Sequence, residues 1–199
     1  MAIRGCRVIA LEGSHGTGKS TLVHALVAHY KCRNIHATSL AETARLSPFV
    51  EEIVVHKVGE FDITAELHLF TSQIAQEQLL ARHHEILVCD KTVANAIGYA
   101  RLLLDKGDDS FSSKMLQQME HLSRVYVQQY DAVIYVSDFY ELTSTNDPFR
   151  PNDIEFQRRA DESIKKVCNQ IGLSFLELPK GLSTEQKIAW INSKTSFSS

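Results

Sequence analysis

No C-x-x-C pair occurs in this sequence, and its four cysteines, Cys6, Cys32, Cys89 and Cys168, stand far apart. That layout excludes a disulfide framework and reads as reduced thiols, with Cys6 and Cys89 inside predicted core strands where a thiol behaves as a small apolar group. None of the nine histidines forms H-E-x-x-H or another zinc spacing, so no structural metal is expected. No apolar run approaches the roughly 20 residues of a membrane span, and the first residues lack the charged-then-apolar layout of a secretory signal. A soluble, cytoplasmic protein is the expectation. There is no basic excess either: 21 Lys and Arg against 24 Asp and Glu leave a net charge of −3. That balance argues against a dedicated nucleic-acid surface, while small phosphorylated ligands need only a few placed cations. With no internal repeat and no domain boundary in view, residues 1–199 are expected to form one domain, long enough for an α/β chain to bury a large core. The oligomeric state is left open, a homodimer included.

What the sequence does contain is Gly13-Ser14-His15-Gly16-Thr17-Gly18-Lys19-Ser20, which fills the pattern G-x-x-x-x-G-K-S/T at every fixed position, with Thr21 next. The glycines allow backbone angles closed to other residues, so successive N–H groups can turn inward as a nest for a triphosphate. Lys19 then reaches the β and γ phosphates, the Ser20 hydroxyl can ligate Mg²⁺, and the helix that begins there adds the positive end of its dipole. Both flanks suit the motif. Cys6 to Glu12 is a short apolar run of strand type, and Thr21 to Lys31 carries Leu22, Ala25, Leu26 and Ala28 on a helical stripe.

A second strand is expected at 34–40, leading into Ala41-Glu42-Thr43-Ala44-Arg45. The carboxyl end of a parallel strand is where ligands sit, so Glu42 and Arg45 are candidates for substrate contact or proton transfer, against the plainer reading of a solvated helix start. Residues 48–58 show a mixed pattern and stay unassigned. A helix over 63–82 places Leu67, Phe70, Ile74, Leu79 and Leu80 on one stripe, with Gln73, Gln76 and Gln78 elsewhere. Phe70 could stack on a nucleobase and Gln73 hydrogen-bond it, or they could be a core phenylalanine and a surface glutamine.

Ile86-Leu87-Val88-Cys89-Asp90 has the look of a central parallel strand that delivers a carboxylate to the phosphate site, where Asp90 would hold Mg²⁺ or accept a substrate proton. Lys91 follows where many motor ATPases carry a water-activating Glu, and it suits an anionic or polar substrate. Helices are expected at 93–104, with Tyr99 on the apolar side, and at 112–129, with a surface loop over 105–110 between them. Tyr130 to Asp138 reads as a buried strand. The turn-rich stretch 144–153 and the basic helix after it suggest a lid over about 141–160, whose Arg150, Arg158 and Arg159 would add positive charge to a transition state or, alternatively, sit as surface charges. A fifth strand at 173–179, a helix at 184–194 and a frayed tail at 194–199 complete the chain.

With these pieces placed, the chain resembles the nucleoside and nucleotide kinase group of P-loop proteins. Ile9 to Gly13 and Gly18 to Leu22 look like the opening of thymidylate and deoxynucleoside kinases, and Asp90-Lys91 with Tyr99 is similar to their Asp-Arg motif and following helix. Glu42 to Arg45 and the stretch Tyr130 to Ile164 look closer to the ribosylnicotinamide kinase domain and its AAA-type relatives. The resemblance implies an α/β, three-layer P-loop NTPase fold: a five-stranded parallel sheet in order 2-3-1-4-5, helices on both faces and an arginine-bearing lid. It implies ATP and Mg²⁺ as cofactors, bound through Gly13 to Thr21, with Ser20 and Asp90 at the metal. Glu42, Arg45, Phe70, Gln73, Lys91 and Tyr99 would face the acceptor. Lys91 departs from the group's usual Arg and loses bidentate phosphate binding. The lid arginine spacing matches neither subfamily.

The leading expectation is therefore ATP- and Mg²⁺-dependent phosphoryl transfer to a small acceptor, a nucleoside or nucleoside monophosphate, with Lys19, Asp90, Glu42 and the lid arginines as catalytic groups. A regulatory P-loop ATPase without an acceptor is one alternative, although the N-K-x-D and D-x-x-G signatures of a GTPase switch do not occur. A kinase acting on nucleic-acid ends or modified bases is the other, and the net charge counts against it.

Overall fold

In the computed structural model, which describes residues 5–104, 110–138 and 153–195, a strand at Arg7–Glu12 (β1) runs into the glycine loop and a helix at Lys19–Lys31 (α1). A strand at Ala37–Leu40 (β2), a 3-10 turn at Thr43–Leu46, and helices at Pro48–Val54 (α2) and Ile63–Leu80 (α3) follow. Next come Ile86–Asp90 (β3), Val93–Leu104 (α4), Ser110–Tyr126 (α5), a 3-10 turn at Val127–Gln129, and Ala132–Tyr135 (β4). The chain then forms Ile154–Ile171 (α6), Leu176–Glu177 (β5) and Thr184–Thr195 (α7). All strand pairs are parallel and form one sheet in the order β2-β3-β1-β4-β5, the order the resemblance implies.

The three central strands are apolar on both faces because each face meets its own core. Val8 and Ala10 of β1, Leu87 and Cys89 of β3, and Val133 and Tyr135 of β4 belong to one core, completed by α3 to α6. The alternate residues, Ile9, Leu11, Ile86, Val88, Ile134 and Val136, belong to a second core under α1 and α7. Period-two alternation in a doubly covered sheet produces this split, and the result is a helix–sheet–helix sandwich. Helices α4 and α6 approach closely at Gly98, where an added Cβ would lie 2.7 Å from Ile164 Cγ1.

Several boundaries differ from the expected ones. Asn34 takes a positive φ of 60° in the turn closing α1, so β2 begins at Ala37. The fifth strand shrinks to two exposed edge residues. The unassigned stretch holds α2, with Pro48 in its first turn and the Ser47 hydroxyl accepting from the Val50 amide at 3.4 Å. The inward face of α3 reads Ile63, Glu66, Phe70, Gln73 and Glu77, whereas Leu79 is exposed. Helix α5 starts at Ser110, so the last residue of the expected loop is helical; the rest of that loop lies outside the described residues. Helix α7 continues to Thr195, and the remainder of the expected tail lies outside them as well. Among the described residues all four cysteines are free, Cys32 exposed and the others buried. No described helix is long and apolar enough to cross a membrane.

Candidate active site

The phosphate loop bridges the end of β1 and the start of α1. Gly13 takes φ 135° with its Cα facing the Val136 carbonyl; an added Cβ would come within 2.5 Å of that oxygen. Gly18, at φ 78°, caps α1 in the left-handed conformation. Lys19 is 5% exposed, and its Nζ donates to the Ser14 carbonyl at 2.5 Å and to Thr17 Oγ1 at 3.1 Å. Burial lowers its pKa, a pull opposed by the carboxylates of Asp90, Glu42 and Glu12.

Beneath the loop lies a buried carboxylate that motif reading passes over. Glu12, fully buried, accepts through Oε1 from the Gly13 amide and Asn95 Nδ2, both at 2.8 Å. Its Oε2 accepts from the Thr92 amide at 3.0 Å and the Thr92 hydroxyl at 2.5 Å. One side chain thus ties the start of the phosphate loop to the turn after β3. The only hint in the sequence is an acidic residue ending a buried strand directly before a loop glycine.

That turn carries the acid and the cation. Leu11 pairs with Asp90 in the β1–β3 register, and the Lys91 amide continues the ladder to the Leu11 carbonyl at 2.9 Å. Asp90 is 3% exposed, and its Oδ2 accepts from the Ser20 hydroxyl at 2.5 Å. Two hard oxygen donors in contact beside a phosphate nest fit Mg²⁺, which favours one or two protein oxygens plus phosphate and water. No cluster of three or more His, Cys, Asp or Glu suited to a metal exists among the described residues.

Lys91 sits at φ 91°, a conformation costly for a residue with a side chain. Its ammonium meets Glu42 Oε1 at 2.5 Å and lies 5.3 Å from the centre of the Tyr99 ring. Burial alone would raise the Glu42 carboxyl, but Lys91, aided by Lys19 and Arg45, overrides it and holds the group down to about 2. Arg45 stands 3.9 Å from Glu42 and is itself exposed. Tyr99 is pushed up to about 12, mainly by burial, and its hydroxyl is 3.0 Å from His15 Nδ1.

Two adjoining cavities meet at these residues. A polar one of about 200 Å³ is lined by the phosphate loop from His15 to Thr21 together with Asp90. A mainly apolar one of about 370 Å³ is walled by α2 and α3 residues such as Val50, Ile53 and Leu69, by Ala96 and Tyr99 of α4, and by Phe156 of α6. His15, Glu42 and Lys91 line both.

Of the expected site residues, the structure gathers Lys19, Ser20, Asp90, Glu42, Lys91, Gln73 and Tyr99 around this pair of cavities. Gln73 is oriented by its own contacts, its Nε2 donating to Glu77 Oε1 at 2.7 Å and to the Lys91 carbonyl at 3.2 Å. Phe70 is 2% exposed in the core and lines neither cavity. Arg158 and Arg159 are exposed on the first turns of α6, which meets the phosphate loop through neighbours the sequence did not single out: Gln157 Nε2 donates to the His15 carbonyl, and Phe156 lies 6.2 Å from the His15 ring. Arg150 and most of the expected lid lie outside the described residues.

Helix α3 also brings two buried carboxyls that sequence reading passed over, both on the stripe of Phe70 and Gln73. Glu77 accepts from the Tyr126 hydroxyl at 2.7 Å and the Tyr130 hydroxyl at 3.0 Å, and burial raises it to about 7. Glu66 lines the larger cavity and is raised to about 8, by burial first, with Lys91 pulling the other way.

The family model of the AAA domain (AAA_28) matches residues 8–187. No curated protein matches the sequence. Among solved structures, thymidylate kinase from Candida albicans is similar with a TM-score of 0.67 and 13% identity, over 96% of this chain and 91% of that one. The NadR protein in complex with NR is similar with a TM-score of 0.67 and 18% identity, over 98% of this chain and 53% of that one, so this chain spans about half its length. At such identities the likeness is one of fold.

Proposed function

The chain belongs to the AAA domain family, and from that premise we propose that it transfers the γ-phosphoryl group of Mg²⁺-bound ATP to a small acceptor, a nucleoside or nucleoside monophosphate. The observation that carries this reading is the second cavity: a roomy, mainly apolar pocket joins the phosphate site through His15, Glu42 and Lys91. A P-loop hydrolase needs no such room beside its phosphates, whereas a transferase must hold an acceptor there. The fold shared with thymidylate kinase and NadR supports the same reading.

The chemistry then divides among residues already placed. The loop amides and Lys19 would hold the β and γ phosphates, the Lys19 ammonium exchanging the Ser14 carbonyl for a phosphate oxygen. Ser20 and Asp90 would hold Mg²⁺, which would supply charge neutralisation on the phosphate oxygens. Glu42, kept ionised by Lys91, orients a nucleoside hydroxyl and takes its proton as that oxygen bonds to the γ-phosphorus and the β–γ bridging oxygen leaves with ADP; a monophosphate acceptor attacks through an ionised phosphate oxygen and has no proton to give up. Lys91 adds positive charge between the two cavities. Arg158 and Arg159 stay candidates for further charge on the nucleotide.

The reading is tested with labelled ATP, Mg²⁺ and a panel of nucleosides, nucleoside monophosphates and ribosylnicotinamide. Label on one acceptor, lost in Lys19→Ala with the fold retained by circular dichroism, is the expected result. ATP consumed at equal rate with and without every acceptor would instead make the protein an ATPase.

A further inference from the structure

Glu66 is 3% exposed and sits in the wall of the larger cavity, on the α3 face that also carries Gln73. Its Oε2 has no hydrogen-bond partner among the described residues. Buried carboxyl oxygens are almost always satisfied, and Glu12 and Glu77 of this same chain each accept several hydrogen bonds. Glu66 is the exception, and it stands where a ligand can reach it. The cavity is shared with the phosphate site only through His15, Glu42 and Lys91, and Glu66 is not among the residues lining the polar part. It therefore meets the portion of an acceptor away from the transferred phosphoryl group. The same cavity wall carries apolar side chains, Ile53, Val54, Phe61 and Leu69 among them, a lining suited to a flat ring.

We propose that Glu66 is a specificity-determining residue of this pocket, whose Oε2 accepts a hydrogen bond from a ring or amide N–H on a nucleobase-like part of the acceptor. The inference rests on the transferase reading above and narrows its substrate class to compounds that present an N–H donor beside an otherwise apolar, planar surface. A buried polar atom that only the right ligand satisfies discriminates strongly, because an analogue without the donor leaves it stranded and desolvated. Glu42, paired with Lys91 where the two cavities join, faces the transferred phosphoryl group instead.

The test uses the full chain and matched nucleoside pairs that differ only by methylation of the donor: uridine and 3-methyluridine, adenosine and N6,N6-dimethyladenosine, and ribosylnicotinamide and its N,N-dimethylamide. Binding is measured by calorimetry without ATP, and label transfer from ATP is scored separately. Wild type is expected to prefer the N–H member of at least one pair by about tenfold or more. Glu66→Leu abolishes that preference, Glu66→Gln, whose amide oxygen can still accept, retains part of it, and kcat for the bound acceptor changes less than KM. Should Glu66→Leu fail to fold, Glu66→Met takes its place, and an infrared shift of the buried carboxyl band on adding the N–H member to wild type, absent from Glu66→Gln, gives the same answer. A preference that survives intact in the apolar variant, no binding of any member, or equal binding throughout would overturn the proposal. Selective binding without transfer would overturn the kinase reading and leave the contact standing, and transfer without selectivity would do the reverse.

Discussion

The Ser20 hydroxyl donates to Asp90 Oδ2 at 2.5 Å, joining the first turn of α1 to the tip of β3 across 70 positions of sequence. In the proposed reading these two oxygens would be the protein's share of a Mg²⁺ site. Ser20→Ala and Asp90→Asn are each expected to weaken the Mg²⁺ dependence of nucleotide binding and to lower kcat by roughly a hundredfold or more. Titration of Mg²⁺ against a fluorescent ATP analogue reads the first effect independently of turnover. Unchanged Mg²⁺ dependence in both variants would place the cation elsewhere.

The Lys91–Glu42 pair makes a second prediction. Burial favours the neutral acid at Glu42, and the Lys91 ammonium at 2.5 Å reverses that to hold the carboxyl down to about 2, well below the ordinary 4.5. Removing the cation as Lys91→Met removes the larger opposing force, so the carboxyl should rise above its ordinary value. In wild type the pH–rate profile should therefore stay flat on its acid side through pH 5. The variant should acquire an acid limb displaced upward in pH from the native one, because its Glu42 takes up a proton more readily, with only Lys19 and Arg45 left to oppose burial. Lys91→Arg should keep the flat profile. A pH profile of kcat/KM for the three proteins decides it.

How much of this was legible beforehand follows from what pattern can carry. The glycine spacing from Gly13 to Gly18 and the unbroken apolar run Ile86 to Asp90 specify backbone angles and double burial, which are local properties, so the phosphate loop, the central strands and the sheet order were readable. Glu12, Glu66 and Glu77 were not. A carboxylate in a helical or strand pattern reads as solvent-facing until its partners are known, and those partners are distant: Asn95 lies 83 residues from Glu12, and Tyr126 49 from Glu77. The stripe on α3 was drawn through its leucines, yet Leu79 is 54% exposed while Glu77 is buried. The inner face of α3 follows the polar network under Lys91 as much as the hydrophobic core. Helix α2 was missed because seven residues give too few turns for a periodic signal, although Ser47 and Pro48 were the start signals to look for.

The four hydrogen bonds at Glu12 predict a stability effect with a functional consequence. Glu12→Ala would strand the buried Gly13 and Thr92 amides and leave Asn95 Nδ2 only its 3.4 Å hydrogen bond to the Gly13 carbonyl. The expected loss is at least about 3 kcal/mol, since several hydrogen bonds go at once and buried donors are left unsatisfied. Glu12→Gln keeps one acceptor oxygen but turns an N–H₂ toward donors, so it should fall between alanine and wild type. Urea unfolding measures all three. Nucleotide affinity should drop with stability, because the same carboxylate fixes the phosphate loop against the turn that carries Asp90.

Glu66 and Glu77 predict how stability responds to pH. Their carboxyls are raised from an ordinary 4.5 to about 8 and about 7, burial being the main cause in each, with Lys91 opposing it at Glu66 and the Tyr126 and Gln73 hydrogen bonds opposing it at Glu77. The native chain then binds these protons more tightly than the unfolded chain does. Their contribution is fully present below pH 4.5 and is lost as pH rises through the folded values, so stability from this source falls between about pH 5 and pH 8. Glu66→Gln cannot ionise and removes the steeper part of that dependence, on the order of a few kcal/mol between the two ends. Urea midpoints for wild type and variant at pH 5 and pH 8.5 should therefore converge at the acid end and separate at the alkaline end, with the variant the more stable there. Parallel midpoints across the range would mean that Glu66 is ionised in the native protein. Because a carboxyl left neutral to stay buried is stabilised by any ligand that hydrogen-bonds it, the same pair of proteins should differ in how much an N–H-bearing nucleoside raises the midpoint.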